Sequence, residues 1–325
     1  MESASDFEQN DEIENGIPKF TQWEHRFSLF GLHFYYVPSI SKTFINHWEV
    51  SLCMPILVNC IIWGSYLLFL ISYIFVLDWT LKPFILITVL LSFYVLSYFG
   101  IILEGPGYLP FFYPHRYPTA NNKYPDYLSG MVTTNQQLDF VKQRINMSDA
   151  HFFKSARRIV IRPDHFCDWC ACFIGKKNFK LFFLFNFWGV LYICVFGVFT
   201  LLGFAKETEN KTPNVFFLIF SMIYLFMAFF FCIFQVIFVV QTFYSILTDT
   251  REFESMKKGK KKGADVPLLE NDQEYLEKTS CLKKFEDVFG SIKYWFLWLL
   301  PVGAFHGVDD YLLVKTREDE NDWFI

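Results

Sequence analysis

Four long apolar runs restrict what this chain can fold into more than any other feature. Apart from one lysine near the start of the second run and one near the start of the third, the runs carry no charge; they extend over Ser51–Leu77, Leu81–Leu103, Phe179–Phe204 and Val215–Leu247. Each can cross a bilayer core, which takes about 20 residues as a helix. In hydrocarbon a helix satisfies its own backbone N–H and C=O groups. The sequence therefore predicts an all-α polytopic membrane protein with four transmembrane helices, because such charge-free runs are rare in soluble cores.

The composition agrees with a chain that contacts lipid. Of the 325 residues, 53% are hydrophobic and 42 are Phe, whereas only 19% are charged. Soluble domains usually contain about 25% charged residues. These values exclude a disordered chain, a collagen and a simple soluble enzyme. The formal net charge of -4 gives no basic signal, so nucleic acid is not an expected partner.

The distribution of Lys and Arg predicts the topology. Both residue types are concentrated in the long segments outside the apolar runs, and the positive-inside rule places such segments in the cytoplasm. The expected location is an endomembrane (ER or Golgi) or the plasma membrane, with both termini cytoplasmic. The predicted units are a cytoplasmic N-terminal segment at 1–50, helices one and two at 51–103, a cytoplasmic Cys-containing domain at 104–178, helices three and four at 179–247, and a cytoplasmic C-terminal segment at 248–325.

The most reactive local chemistry lies just before the third run. Cys167 follows His165 by two residues and Asp164 by three. A neighbouring imidazole lowers a thiol pKa from about 8.5 and favours the nucleophilic thiolate, and a carboxylate can orient that imidazole. We predict Cys167 as nucleophile, His165 as general base and Asp164 as its orienting group. Two other interpretations of this pattern stay open. The residues are incidental polar residues in a loop, or a metal site is formed by His165, Cys167, Cys170 and Cys172, whose spacing is unusually tight for structural zinc.

Several short motifs occur in a fixed order around the apolar runs. Residues 104–110 read Glu-Gly-Pro-Gly-Tyr-Leu-Pro, residues 164–167 read Asp-His-Phe-Cys, and residues 249–252 read Asp-Thr-Arg-Glu. The stretch 281–301 contains Val-Phe-Gly followed by Trp-Leu-Leu-Pro. With Trp169 two places after the Cys and Asn178-Phe179 before the third run, this order resembles the DHHC family of protein S-acyltransferases (palmitoyltransferases) over about 51–301.

The resemblance implies an activity and its participants. A fatty acyl group, palmitoyl in the usual case, would move from acyl-CoA through a Cys167 thioester to a cysteine of a substrate protein. The expected partners are membrane lipid and substrate proteins with cytoplasmic cysteines near the membrane. The fatty chain would lie between the helices, where Phe-rich walls suit it. Basic side chains would meet the CoA phosphates, unless they reflect only topology and headgroup contact; they are Arg157, Arg158, Lys176 and Lys177.

The chain departs from the family where the family binds zinc. Its usual Cys and His ligand places, aligned on Cys167 without gaps, fall on Asp139, Lys142, Phe152, Phe153, Ala156, Ile159, Phe166 and Phe173. We therefore expect the usual zinc ions to be absent, and expect buried aromatic side chains to supply stability instead, at roughly 1.5–3 kcal/mol each. Asp168 replaces the family's Pro and is expected to raise the pKa of Cys167 by like-charge repulsion. A catalytically weak or inactive membrane scaffold that binds partner proteins or lipid is the alternative function.

Overall fold

The computed structural model confirms the predicted four-helix membrane architecture. It describes residues 13–14, 17–18, 24–37, 41–76, 81–109, 150–153, 158–249, 280–308 and 313. The long helices are α1 (Cys53–Ile71, continued by a π-helical turn at Ser72–Val76), α2 (Leu81–Glu104), α3 (Phe179–Thr208) and α4 (Val215–Thr248). All four are long and apolar enough to cross a membrane.

Helix α3 is the centre of the bundle. Polar side chains link α1 to α3 and α2 to α4 by hydrogen bonds. The hydroxyl groups of Ser65 and Tyr192 lie 2.8 Å apart, and the Gln235 amide donates to the Tyr94 hydroxyl over 2.7 Å. Lipid offers no competing hydrogen-bond partner, so such bridges contribute to helix association. Gly189 leaves the space on α3 that the Gln235 side chain fills. In contrast, much of the Phe-rich surface of α4 is exposed at its outer face.

A short turn joins α3 to α4 at the end of the bundle opposite the predicted Cys domain. The carboxylate of Glu207 accepts hydrogen bonds from the Asn210 side-chain amide over 2.6 Å and from the Asn214 backbone N–H over 2.7 Å. The Asn214 side chain in turn accepts from the Phe217 N–H at 3.1 Å and caps α4. These bonds satisfy helix-terminal groups that the helices themselves leave open.

Small antiparallel sheets flank the helices and were not part of the sequence prediction. Before α1, β1 (Ile13–Glu14) pairs with β2 (Ile17–Pro18), and a four-stranded sheet follows: β3 (Glu24–Leu29), β4 (Leu32–Val37), β5 (Lys42–Ile45) and β6 (Trp48–Glu49). Between α2 and α3 lie β7 (Tyr108–Leu109), β8 (Ala150–Phe153) and β9 (Arg158–Ile161), in the order β7-β9-β8. The hairpin of β10 (His165–Cys167) and β11 (Cys172–Ile174) completes this region.

After α4 the described chain resumes with α5 (Cys281–Phe289), followed by a 3₁₀ helix (Ile292–Leu297). Phe289 of α5 packs edge-on against Phe183 of α3, with ring centroids 5.5 Å apart, and also contacts Trp298. The Lys284 ammonium donates to the backbone carbonyl of Leu247 over 2.9 Å, near the C-terminal end of α4. The C-terminal element therefore packs against the same end of the bundle as the β10–β11 hairpin.

Gly175 allows this hairpin to pack against its neighbours. A Cβ at Gly175 would lie 2.8 Å from the carbonyl oxygens of both Ile161 and Pro106, which are backbone atoms that cannot turn away. We expect Gly175→Ala to lower the free energy of unfolding by roughly 1–3 kcal/mol, the usual cost of overpacking. Thermal unfolding of the detergent-purified protein measures the effect. Gly197→Ala on α3, where a Cβ meets nothing within 4 Å, is the matched control. Equal melting temperatures for the two variants would contradict the role of Gly175.

Candidate active site

The β10–β11 hairpin positions the residues that the sequence singled out. Its register pairs His165 with Ile174 and Cys167 with Cys172 directly across the two strands. Side chains alternate along a strand, so His165 and Cys167 share one face. Cys167 is 6% exposed, whereas Phe166 on the opposite face is 50% exposed. The nucleophile candidate is therefore turned toward the protein interior.

The three predicted catalytic residues come together in the structure. The Asp164 carboxylate lies 2.9 Å from Nδ1 of His165, and the imidazole is also hydrogen bonded to the thiol of Cys167. The imidazole packs edge-on against Phe182 of α3, with centroids 5.1 Å apart. This is the order of contacts that nucleophilic catalysis uses, in which one group orients the base and the base contacts the nucleophile.

The charges of this group are set by its hydrogen bonds. Burial alone lowers the pKa of His165, but the hydrogen bonds to Asp164 and Cys167 outweigh burial and raise the pKa to about 10. A hydrogen bond from the Cys170 thiol, opposed by burial and aided by His165, lowers the pKa of Cys167 to about 5. A Cys167 thiolate paired with a His165 imidazolium is the form that these two shifts favour at neutral pH.

Cys170 is the residue that sequence reasoning missed as a partner of the nucleophile. Its side chain is completely buried, and its thiol is hydrogen bonded to Cys167 and Cys172. The Cys-x-x-Cys spacing was visible in the sequence, but spacing does not reveal that a turn places both thiols side by side. The expected effect of Asp168 is wrong: the pKa of Cys167 is lowered, because Asp168 points into solvent and the Cys170 and His165 hydrogen bonds dominate.

The turn between β10 and β11 is held from two directions. The Tyr98 hydroxyl on α2 donates to the Trp169 carbonyl over 2.8 Å. The indole N–H of Trp48, on the N-terminal sheet, lies 3.2 Å from the carbonyls of both Cys170 and Ala171. Both side chains bind backbone carbonyls, so they hold the turn in place independently of the side chains that the turn carries. The candidate nucleophile is thereby set at the end of the bundle where α2 ends and α3 begins.

A cluster of charges ties the hairpin to the C-terminal element. Arg162 is paired with Asp249, the residue after α4, and donates to the Asp287 carboxylate of α5 over 2.6 Å. Lys176 donates to the other oxygen of Asp287 over 2.9 Å. Only 12% of the Arg162 side chain is exposed, so solvent screens these pairs less than it screens surface pairs.

The basic residues predicted for CoA have different surroundings. Lys177 is 8% exposed, donates to the Val308 carbonyl over 3.0 Å, and lies 3.9 Å from the Glu104 carboxylate. Lys176 pairs with Asp287 as described. Arg157 and the side chain of Arg158 lie outside the described residues. Phosphate binding by these four residues stays a prediction.

Aromatic rings occupy zinc-ligand places of the family. The ring centroid of Phe173 lies 4.4 Å from that of Phe153 and 5.1 Å from that of Phe166, and Phe173 packs with Tyr108 and Val160. These apolar side chains do not fit zinc, so no chemical step here involves it. Across the described residues, which include the one His and three Cys of the tight cluster, no group of three or more potential ligands is placed to hold a metal. That the usual zinc is absent stays a prediction. The other ligand places lie outside the described side chains: Asp139, Lys142, Phe152, Ala156 and Ile159.

The pH dependence of alkylation tests the ionised pair. We expect the rate of Cys167 alkylation by iodoacetamide to rise through about pH 5, far below an ordinary thiol near 8.5, because the thiolate is the reacting form. His165→Ala removes a hydrogen bond and a charge that favour the thiolate, so the midpoint should move up. Asp168→Asn is the matched control and should leave the midpoint in place. An unshifted His165→Ala profile would contradict the pairing.

The charge cluster gives a stability prediction. Arg162→Ala leaves Asp249 without its Arg162 partner and should lower the free energy of unfolding by roughly 1–3 kcal/mol. This loss is smaller than the roughly 3–5 kcal/mol expected when one partner of a fully buried ion pair is removed, because the carboxylates of Asp249 and Asp287 are partly exposed. The control is Arg26→Ala, which removes a solvent-exposed pair with Glu24 and should change little. Thermal unfolding in detergent compares the two variants, and an equal loss of stability in both would contradict the prediction.

Comparison with known proteins finds a family match that covers the region of this site. A family model described as DHHC palmitoyltransferase matches residues 133–259, a range that includes the β10–β11 hairpin, α3 and α4. A search of curated proteins gives no match. The matched range carries Asp164, His165 and Cys167 between the second and third membrane helices. Residues 133–259 of this chain therefore form a domain of the DHHC palmitoyltransferase type.

Proposed function

We propose that the protein is a protein S-acyltransferase that uses Cys167 as its acyl carrier. The observation that carries the proposal is the contact chain Asp164–His165–Cys167, buried at the end of a membrane bundle. A thiolate is strongly nucleophilic, and Cys167 belongs to the same apolar cluster as buried residues of α3. The family match supports the same class of reaction.

The proposed reaction has two acyl transfers. The Cys167 thiolate attacks the thioester carbon of a fatty acyl-CoA, the new C–S bond forms, and the CoA thiolate leaves with the proton held by His165. A thiol of the substrate protein then attacks the Cys167 thioester and gives its proton to His165. The Cys167 thiolate leaves, and the ion pair is restored. Asp164 keeps the imidazole oriented and stabilises its charged form in both steps.

Aromatic side chains near Cys167 suit a fatty chain. Phe182 of α3 contacts His165, and Trp169 lies edge-on to Phe231 of α4 with centroids 6.0 Å apart. We place the acyl chain, palmitoyl in the usual case, along these apolar side chains between the helices. The predicted contacts to the CoA phosphates are Arg157, Arg158, Lys176 and Lys177, of which the structure describes the side chains of the two lysines.

Those four basic residues are not equivalent candidates. The Lys176 side chain is 16% exposed and pairs with the partly exposed Asp287, so it would need only to turn. Lys177 would have to leave the Val308 carbonyl and emerge from a buried position. We therefore favour Lys176 over Lys177 as a phosphate contact.

The proposed orientation follows from the charge distribution. With both termini and the hairpin region cytoplasmic, Cys167 would meet cytosolic acyl-CoA and cytoplasmic cysteines of proteins near the membrane. An endomembrane (ER or Golgi) or the plasma membrane would hold the chain. A weakly active or inactive scaffold is the competing function, and the aromatic replacement of zinc-ligand places favours it.

Acyl labelling tests the enzyme against the scaffold. Purified protein is incubated with an alkyne-bearing palmitoyl-CoA analogue, and bound label is detected before and after hydroxylamine, which cleaves thioesters. We expect hydroxylamine-sensitive label on the wild type and its loss in Cys167→Ser. Cys281→Ser changes an exposed cysteine outside the site and is the matched control, which should keep its label. Unlabelled wild-type protein of intact fold would favour the scaffold.

A further inference from the structure

Three buried thiols lie together on the β10–β11 hairpin: Cys167, Cys170 and Cys172. Acyl transfer uses only the first of them. The Cys170 amide donates to the Cys167 carbonyl over 3.3 Å, which closes a tight turn, and its thiol is hydrogen bonded to the thiols on both sides. Neighbouring thiols are a site for oxidation, because a disulfide between two of them forms with the loss of two electrons and two protons.

We propose that Cys167 and Cys170 form an oxidation site for hydroperoxides, in which Cys170 resolves oxidised Cys167 as a reversible disulfide. The backbone bond from Cys170 to Cys167 brings the two buried residues close together in one tight turn, so little backbone movement separates the two states. Cys172 is the obvious rival, since it lies directly across the hairpin from Cys167. However, the Cys170 N–H closes the turn onto the Cys167 carbonyl, and Cys170 has the largest effect on the pKa of the Cys167 thiol, whereas Cys172 is not among the groups that shift it. The geometry therefore assigns the resolving role to Cys170.

The chemistry balances with a hydroperoxide as oxidant. The Cys167 thiolate attacks the O–O bond, takes one oxygen to become a sulfenic acid, and the second oxygen leaves as water or alcohol after gaining a proton. The Cys170 thiol then attacks the Cys167 sulfur. The S–S bond forms, the S–O bond breaks, and hydroxide leaves with the thiol proton as water. Cys167 is oxidised, and the peroxide is reduced.

The disulfide would remove the group that accepts the acyl chain. It also protects Cys167, because a sulfenic acid without a resolving thiol is oxidised onward to sulfinic acid, which thiols do not reverse. Cytosolic thiols reduce the disulfide and restore the starting state. The oxidation site rests on the arrangement of the thiols and not on acyl transfer, so it stands even if the chain is an inactive scaffold.

Disulfide mapping of the full-length protein in detergent tests the site. The protein is first freed of acyl groups with hydroxylamine, treated with hydrogen peroxide, alkylated and digested without reductant for mass spectrometry. We expect a Cys167–Cys170 link, lighter by two hydrogen atoms than the dithiol and removed by dithiothreitol. Cys170→Ser should instead accumulate Cys167 sulfinic acid. Cys172→Ser, the matched control, should keep the link.

Several results would overturn the inference. One is wild-type protein in which peroxide oxidises Cys167 but no Cys167–Cys170 link forms. A second is loss of that link in Cys172→Ser, which would assign the role to Cys172. A third is a Cys167 thiol that peroxide leaves fully alkylatable. Disulfide mapping needs no acyl donor, so the two proposals fail separately. If the Cys167–Cys170 link forms but the protein takes no acyl label, only the acyltransferase proposal is refuted. If the protein is labelled but the link does not form, only the oxidation site is refuted.

Discussion

Hydrogen bonds from two side chains to the backbone of one turn hold the candidate site in place. Tyr98 from α2 and Trp48 from the N-terminal sheet both bind carbonyls within residues 169–171. Backbone carbonyls cannot adjust as side chains do, so the hairpin is fixed relative to the bundle. The alignment of His165 with Cys167, and of Cys167 with Cys170, depends on this fixed turn. Buried donors of this kind are also costly to remove, since the freed carbonyls would lie away from water.

The sequence was a good guide to the helices and a poor one to the sheets. The apolar runs predicted α1 to α4 closely, because only a helix satisfies the backbone in lipid. The strands are two to six residues long, too short for a pattern of alternation to stand out. The strand alternation that sets Cys167 inward and Phe166 outward was therefore invisible beforehand.

Within the site, the sequence predicted the neighbours but not the contacts across elements. Asp164, His165 and Cys167 are close in sequence, so their proximity in space follows from one short strand. Arg162, Asp249 and Asp287 are far apart along the chain and meet only because α4 and α5 pack beside the hairpin. Asp249 directly follows α4, and its carboxylate pairs with Arg162. The same limit applies to Cys170, whose contact depends on a turn.

The turn between α3 and α4 has a consequence for glycosylation. Asn210-Lys211-Thr212 is an acceptor sequence for N-linked glycans, and in the proposed orientation this turn faces the non-cytoplasmic side. The glycan would be attached to the same Asn210 amide nitrogen that donates to Glu207. In the folded protein that nitrogen is engaged, and Glu207 itself is buried. A sugar replaces one of the two hydrogens on this nitrogen, so a glycosylated Asn210 keeps its bond to Glu207 only by donating the other.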